Sequence, residues 1–289
     1  MRFAASTCSF SILSIGFDEE VTHMCELFGY FGDDERDISA DLREFFSHSV
    51  EHPQGWGLAL GSQGNTLNIE KESLRAIDSS YLKSRLDGSV SAKVAIAHIR
   101  LATAGNTSFD NCHPFSAVDV SGRQWTLAHN GTILAFDELE RYRGEQRGST
   151  DSERILCYLI DKVNEATRAI GHTLDVDERF RVVERIVAEL SANNNKVNLL
   201  IHDGEQLLAH CNFANSLHAR RDAAGTYFST HALSRGAWRQ LPLNTLVAFR
   251  RGDVARIGHK HANESFQTAA TIEAWQRANG EVQTGTQIA

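Results

Sequence analysis

The chain has 289 residues, 42% of them hydrophobic, which is enough to bury the core of one large domain or two small ones. Its 29 basic and 37 acidic residues give a net charge of −8, and no basic run is interleaved with aromatic residues, so a nucleic-acid-binding surface is not expected. No stretch approaches the roughly 18 apolar residues of a membrane span, and the five scattered cysteines form no Cys-x-x-Cys pair, which favours a reducing, cytoplasmic location.

The first 24 residues are best treated separately from the rest of the chain. Ser9–Phe17 is mildly apolar, but only Arg2 precedes it as a basic residue and no small-x-small cleavage site follows, so a secretory signal is not supported. Residues 1–24 are then either a pro-segment removed before Cys25 or the product of an upstream start codon, with translation beginning at Met24. The second interpretation is favoured, and an extension retained on a non-catalytic protein is the alternative.

The pair Met24-Cys25 opens an apolar segment and suggests a mature protein that begins with its nucleophile. An N-terminal cysteine supplies a thiol and a free α-amine, which titrate near about 8.5 and roughly 7.7–8.0. Activation of a nucleophile by its own terminal amine is an established form of covalent catalysis. The alternative is a buried structural cysteine.

From Cys25 onward the sequence predicts one compact domain, residues 25–260, followed by a C-terminal helix and a polar tail, residues 261–289. Apolar and alternating runs predict these strands: Gly57–Leu60, Leu67–Ile69, Val94–Ile99, Trp125–His129, Val197–His202, Gln206–His210, Gly225–Thr230 and Leu246–Phe249. Helical periodicity is present at Ile38–Glu51, Ser152–Ala169, Asp177–Ala192 and Ala269–Ala278. Helices grouped between blocks of strands favour a layered α+β domain over a Rossmann alternation. Asp203-Gly204 is predicted to be a hairpin turn.

Two short motifs follow predicted strands. Arg100 lies where Val94–Ile99 gives way to a loop, and its guanidinium is suited to bidentate capture of a carboxylate. An exposed arginine at a strand end is the alternative. Asn130-Gly131 ends another strand, where an amide and a backbone N–H can surround a developing oxyanion. An Asn-Gly hairpin turn is the competing interpretation.

Two further segments allow a functional or a structural interpretation. Asp151 precedes a clear helix and is suited to pairing with a ligand ammonium group, although Thr150 and Glu153 have the spacing of a capping box. Trp56, between two glycines, is either a core residue or part of the pocket lining. Thirteen histidines are present, but without a metal-binding spacing; His98 is expected to support the pocket through hydrogen bonds, and neither a metal nor a cofactor is expected.

Together these motifs describe a binding site for an amino acid amide, and their order resembles a known family. The shared segments are Met24–Leu27, Gly55–Gly57, Ala97–Arg100, His113–Phe115, Ala128–Gly131, Thr150–Glu153 and Asn198–Gly204. They resemble class II glutamine amidotransferases of the N-terminal-nucleophile (Ntn) hydrolase superfamily. The resemblance is closest to the stand-alone branch of YafJ-like proteins and γ-glutamyl hydrolases, and it runs from Cys25 to about Asp253.

The resemblance implies a four-layer α-β-β-α sandwich of two antiparallel sheets. It implies that Cys25 is the nucleophile and its α-amine the proton acceptor, and that Asn130 and Gly131 form the oxyanion hole. Arg100 and Asp151 would hold the α-carboxylate and α-amine of a glutamyl group. Thr103 is expected nearby, and His98 and Trp56 are expected to contribute to the substrate pocket.

The implied activity is hydrolysis of glutamine or another γ-glutamyl amide through a thioester on Cys25, releasing glutamate and ammonia or an amine. One alternative is a glutaminase subunit that delivers ammonia to a separate partner, a synthetase or peptidase subunit. Another is a non-catalytic γ-glutamyl-binding or scaffold protein that retains its extension. Two departures from the family pattern bear on the leaving group: Gln54 replaces an aspartate, and His231-Ala232-Leu233 follows Ser229-Thr230 in place of the family's Glu-Pro-Leu.

Overall fold

A computed structural model of the chain describes residues 24–62, 65–103 and 105–279. The extension predicted for residues 1–24 therefore lies, except for Met24, outside the described residues, and so does the polar tail after Asn279. The described strands are β1 Glu26–Asp37, β2 Trp56–Gly61, β3 Asn68–Glu72, β4 Ser91–Ile99, β5 Phe115–Val118, β6 Gln124–Asn130, β7 Asn198–His202, β8 Leu207–His210, β9 His218–Arg221, β10 Gly225–Ser229, β11 Arg239–Gln240, β12 Val247–Arg250 and β13 Asp253–Ile257.

Five α-helices accompany these strands in the described residues: α1 Ser39–Ser47, α2 Ser80–Asp87, α3 Asp151–Ile170, α4 Val176–Leu190 and α5 Ala269–Asn279. Short 3₁₀ turns cover His48–Glu51, Ala76–Asp78, Phe109–Asn111 and Asp137–Gly144. The four predicted helices all form. On α3, Ile155, Leu156, Leu159 and Val163 are buried, as the periodicity indicated.

The strands form two antiparallel sheets. Within the described residues, one sheet has the order β11-β9-β10-β1-β4-β2-β3 and the other the order β13-β12-β8-β7-β6-β5. Apolar side chains fill three layers: between α1/α2 and the first sheet, between the two sheets, and between the second sheet and α3/α4. The predicted four-layer α-β-β-α sandwich is therefore confirmed.

The centre of the first sheet is β1, a strand that the sequence analysis did not predict. It pairs with β4 on one side and β10 on the other. Gly29 lies in its buried first half, where a Cβ atom would come within 2.9 Å of Leu200 Cδ1 in the facing sheet. Because no side chain protrudes there, the two sheets pack closely at the strand that follows Cys25.

Of the two predicted turns, one forms and one does not. Asp203-Gly204 joins β7 to β8, with Gly204 at φ +85 and the Asp203 N–H donating to Gln206 O at 3.2 Å. The hairpin interpretation of Asn130-Gly131 is wrong. The strand that follows β6 along the chain and pairs with it is β7, with Asn130 opposite Asn198.

Candidate active site

Antiparallel pairing places the predicted nucleophile beside the predicted carboxylate-binding arginine. Glu26 of β1 is opposite Ile99 of β4, so Cys25 and Arg100 leave the first sheet next to each other. The Arg100 N–H donates to Gly55 O at 2.8 Å, which fixes the backbone at the end of β4. The pairing of Glu26 with Ile99, the residues next to Cys25 and Arg100 in sequence, therefore brings Cys25 and Arg100 close together.

The Cys25 side chain is partly buried against the loop after β4. Its Sγ lies 3.1 Å from Leu101 O and 3.3 Å from Leu101 N. Burial raises the pKa of the thiol, while the charges of Arg100 and Lys196 act in the opposite direction. A thiol with a raised pKa is protonated at neutral pH, so attack by sulfur requires a nearby base.

The Arg100 guanidinium is buried and oriented by the following loop. Its Nη1 donates to Asn106 O at 2.9 Å and its Nη2 to Gly105 O at 3.4 Å. Asn111 fixes that loop in turn, because its Nδ2 donates to Asn106 O at 2.8 Å and its Oδ1 accepts from the Ser149 N–H at 2.7 Å. The arginine is therefore held before any ligand binds.

The end of β6 brings the predicted oxyanion segment from the second sheet. Gly131 lies so close to the Lys196 carbonyl that a Cβ atom would be 1.9 Å from that oxygen. Asn130 is buried, and its Nδ2 donates to Thr230 Oγ1 at 3.3 Å. The same hydroxyl oxygen accepts from the Leu27 N–H of β1 at 2.9 Å. Thr230 thus links the strand after Cys25 to the Asn130 side chain.

Asp151 is the first residue of α3. The N-cap, Thr150, accepts from the Glu153 N–H at 3.2 Å. The Glu153 carboxylate accepts instead from the Arg147 and Gly148 N–H groups, so only half of the predicted capping box forms. Asp151 Oδ2 accepts from the Ile133 N–H at 2.8 Å, which orients the carboxylate.

These segments enclose a small cleft. Its lining residues are Cys25, Arg100, Leu101, Ala102, Thr103, His113, His129, Gly131, Thr150, Asp151 and Ser152. Five of the predicted site residues line it, namely Cys25, Arg100, Thr103, Gly131 and Asp151. Asn130 lies directly before Gly131 without lining the cleft.

Trp56 and His98 do not line the cleft. Trp56 is fully buried against Phe46 and Tyr81, and its Nε1 donates to Glu72 Oε2 at 3.1 Å, so the core interpretation describes its position. His98 is also fully buried, and its ring packs against the His113 ring at an interplanar angle of 33°, with centroids 4.0 Å apart. Within the described residues neither ring nitrogen of His98 makes a well-formed hydrogen bond, although the His129 backbone is close enough to act on its pKa.

Several cleft residues were not predicted as site residues, although they lie within or beside the motifs. Burial lowers the pKa of His129, while the charge of Asp151 acts in the opposite direction. Its Nε2–H donates to Lys196 O at 2.9 Å, and its Nδ1 lies 3.0 Å from Ser152 Oγ. His113 Nδ1 accepts from the His129 N–H at 3.3 Å. Their position inside the His-Pro-Phe and Ala-His-Asn-Gly motifs was the available signal.

Thr103 connects the cleft to the C-terminal segment. Its hydroxyl lies 2.9 Å from Thr132 Oγ1, and its carbonyl accepts from Gln276 Nε2 at 2.7 Å. Gln276 belongs to α5, so this helix packs on the loop that carries Arg100 and Thr103.

The two departures from the family pattern occupy different surroundings. Gln54 Oε1 accepts from the Ala102 N–H at 2.5 Å, so this side chain presents an acceptor to the cleft loop. His231 is about half exposed, with its Nε2 4.0 Å from Glu26 Oε1.

In the described ranges, no group of three or more histidine, cysteine or acidic side chains is arranged to hold a metal ion. None of the helices in those ranges is both long enough and apolar enough to cross a bilayer.

Comparison with known proteins shows which family has a similar sequence. The family model of class-II glutamine amidotransferases matches residues 24–224. An uncharacterized protein of Methanocaldococcus jannaschii is 31% identical over 187 residues, which are 65% of this chain and 50% of that protein. A putative glutamine amidotransferase of Escherichia coli K12, YafJ, is 29% identical over 196 residues, 65% of this chain and 73% of that protein.

Among solved structures, the glutamine phosphoribosylpyrophosphate amidotransferase of Bacillus subtilis aligns with a TM-score of 0.59 at 18% identity. The alignment covers 83% of this chain and 50% of that one, and it shows a shared fold. This chain therefore spans about half the length of two of the proteins it resembles. Since the family model covers most of the described residues, the chain belongs to the class-II glutamine amidotransferases.

Proposed function

We propose that the protein hydrolyses the side-chain amide of glutamine, or of a related γ-glutamyl compound, through a thioester on Cys25. The observation that carries this proposal is the meeting of a thiol, a guanidinium and a carboxylate in one cleft, although Cys25, Arg100 and Asp151 are far apart in sequence. A cation and an anion at fixed positions suit the α-carboxylate and α-ammonium of a glutamyl group.

In the first step the α-amine of Cys25, free once this residue begins the chain, accepts the thiol proton. The sulfur then attacks the Cδ carbonyl carbon, and the negative charge on oxygen is stabilised by the Asn130 amide and the Gly131 N–H. The Cδ–N bond breaks, and the leaving nitrogen takes the proton back from the α-ammonium group.

In the second step water attacks the γ-glutamyl thioester. The α-amine accepts a proton from that water, the C–S bond breaks, and the thiol is restored as glutamate leaves. An acylated Cys25 nitrogen is not basic, so both steps require that no residue precedes Cys25.

The test combines intact-mass measurement of the protein purified from cells with a glutamate-release assay on glutamine. We expect a chain that begins at Cys25, and we expect Cys25→Ala to release no glutamate above background. Cys157→Ala is the matched control, because Cys157 lies on α3 outside the cleft, and it should keep the wild-type rate. Undiminished turnover by Cys25→Ala would contradict the mechanism.

The same measurements separate the alternatives. A chain that keeps residues before Cys25 and resists labelling by a glutamine-analogue electrophile would be a binding or scaffold protein. Glutamine hydrolysis that rises only in the presence of a copurifying synthetase would assign the chain as a glutaminase subunit.

A further inference from the structure

Lys196 is a buried cation beside the candidate active site, and nothing in the proposed mechanism uses it. The residue is 3% exposed. Its Nζ lies 3.1 Å from Met24 Sδ and 4.7 Å from the centroid of the Phe213 ring. Among the residues that the structure describes, Lys196 forms no ion pair with a carboxylate. A buried ammonium group without an anion is costly, which suggests that an anion binds there in the working protein.

The backbone of Lys196 is fixed against the predicted oxyanion segment. Its N–H donates to Thr132 O at 3.2 Å, and its carbonyl accepts from His129 Nε2 at 2.9 Å while it contacts Gly131. The Lys196 and Cys25 charges are close enough to affect each other's pKa. The backbone of Lys196 therefore lies beside the predicted oxyanion hole, while its side chain does not line the cleft that contains Arg100 and Asp151.

Met24 occupies the space between Lys196 and the nitrogen of Cys25. Its side chain is 9% exposed, and its carbonyl accepts from His52 Nε2 at 2.8 Å. In the proposed mechanism Met24 is absent and the freed α-amine gives its proton to the leaving nitrogen. The leaving group must then lie within hydrogen-bond reach of that amine, next to the space that Met24 filled.

We propose that this space is the leaving-group subsite and that Lys196 binds a carboxylate carried by the leaving amine. The inference rests on the proposed function and deepens it. The preferred substrates are γ-glutamyl amino acids, which release a free amino acid with an α-carboxylate close to the leaving nitrogen. Glutamine, whose leaving group is ammonia, makes no use of Lys196.

The test compares two substrates that differ only in this charge, γ-glutamylglycine and γ-glutamylglycine amide, with protein that mass measurement shows to begin at Cys25. Because a charge-assisted contact is lost with the amide, we expect kcat/KM to favour γ-glutamylglycine by about tenfold or more. In Lys196→Met the ratio should fall below about threefold. Lys83→Met removes an exposed lysine of α2 and should keep the wild-type ratio.

A pH series on the wild-type protein tests the same point without a substitution. Burial lowers the pKa of Lys196 to about 8 in the chain that carries Met24, and the Cys211 and Cys25 thiols are the titratable groups that act on it. Since kcat/KM reports the free enzyme, the preference for γ-glutamylglycine should decline as the pH rises through the pKa of this lysine, where its positive charge is lost. The α-amine of Cys25 acts in the hydrolysis of both substrates, so the effect of its own titration cancels in the ratio of the two kcat/KM values.

The outcomes are distinct. If glutamine is hydrolysed but the ratio is near one, or is unchanged in Lys196→Met and independent of pH, the leaving-group subsite is overturned and the proposed function stands. If a chain that begins at Cys25 hydrolyses none of the three substrates, the proposed function itself fails.

Discussion

Gly131 lies at the end of β6, in close contact with the backbone of the segment before β7. Any side chain there would collide with the Lys196 carbonyl, 1.9 Å from the position of a Cβ atom. The collision involves backbone, which a rotamer change cannot relieve. The position of the Gly131 N–H therefore depends on the absence of a side chain.

We expect Gly131→Ala to reduce kcat for glutamate release by about 10²-fold, the effect of losing one oxyanion donor. The free energy of unfolding should fall by about 1–3 kcal/mol because of overpacking. Urea unfolding and a glutaminase assay measure the two effects. Gly144→Ala is the control, because no atom lies within 4 Å of its Cβ position, and it should change neither. A folded Gly131→Ala protein with wild-type kcat would contradict this role.

At the residue scale, the order of the motifs along the chain predicted more of the site residues than the residue types alone did. Arg100 and Asp151 were named because each lies at the end of an element, and the structure brings both to the cleft that contains Cys25. Lys196 had no comparable signal, and Thr230 was noted only as part of the Ser229-Thr230 pair that the family pattern shares. A single lysine before a strand and a threonine after one are common, and their contacts are made to segments more than 60 residues away.

At the scale of elements, the N-terminus of α3 positions Asp151, a residue predicted to bind the substrate. The Thr150 hydroxyl caps the helix, and Asp151 follows at its first position. Loss of the cap would loosen the first turn and with it the Asp151 carboxylate. Helix α4 has an equivalent cap, Asp175, with a complete capping box outside the cleft.

We expect Thr150→Val to lower the free energy of unfolding by about 1 kcal/mol and to raise the KM for glutamine several-fold. Asp175→Ala should cost a similar amount of stability, about 1 kcal/mol, and leave KM unchanged. Thermal unfolding and steady-state kinetics on both variants make the comparison. An equal effect on KM in the two variants would show that the cap acts only through stability.

The strand β1 shows why element prediction from this sequence was incomplete. Its first half is apolar without alternation because both faces are buried, and its second half is charged and exposed. Periodicity detects half-buried strands well and doubly buried ones poorly. The helices were predicted better because α3 and α4 have one apolar face each.

At the scale of the whole molecule, a buried ion pair joins one outer helix layer to the second sheet. Arg179 of α4 donates through Nε to Asp203 Oδ2 at 2.7 Å and through Nη2 to Glu205 Oε2 at 2.8 Å. Asp203 also accepts from the N–H groups of Glu205 and Gln206 in the β7–β8 turn. The pair thus anchors α4 to a hairpin of the second sheet.

We expect Arg179→Met to lower the free energy of unfolding by about 3–5 kcal/mol, because the Asp203 carboxylate would stay buried without its cation. Arg141→Met is the control. Its pair with Asp161, 2.7 Å apart, is about half exposed, so the cost should be about 1 kcal/mol or less. Urea unfolding of the three proteins decides; equal stability of Arg179→Met and wild type would refute the anchoring role.

The layered architecture was predictable because it follows from the resemblance and from the grouping of helices between strands. The contact of α5 with the cleft was not, because the sequence of α5 indicates a helix but not where that helix packs. Gln276 meets the Thr103 carbonyl only after the chain has passed through both sheets.

The Thr230 hydroxyl has a mechanical consequence. Thr230 follows β10 and is bonded to Leu27 within the first sheet, so its contact with Asn130 is the bond that crosses to the second sheet, and a sliding of the sheets past each other strains that bond. In the proposed mechanism, in which Asn130 stabilises the oxyanion, glutamate release therefore depends on the alignment of the two sheets. We expect a pressure or solvent change that shears the sandwich to stop glutamate release while circular dichroism still reports intact strands and helices.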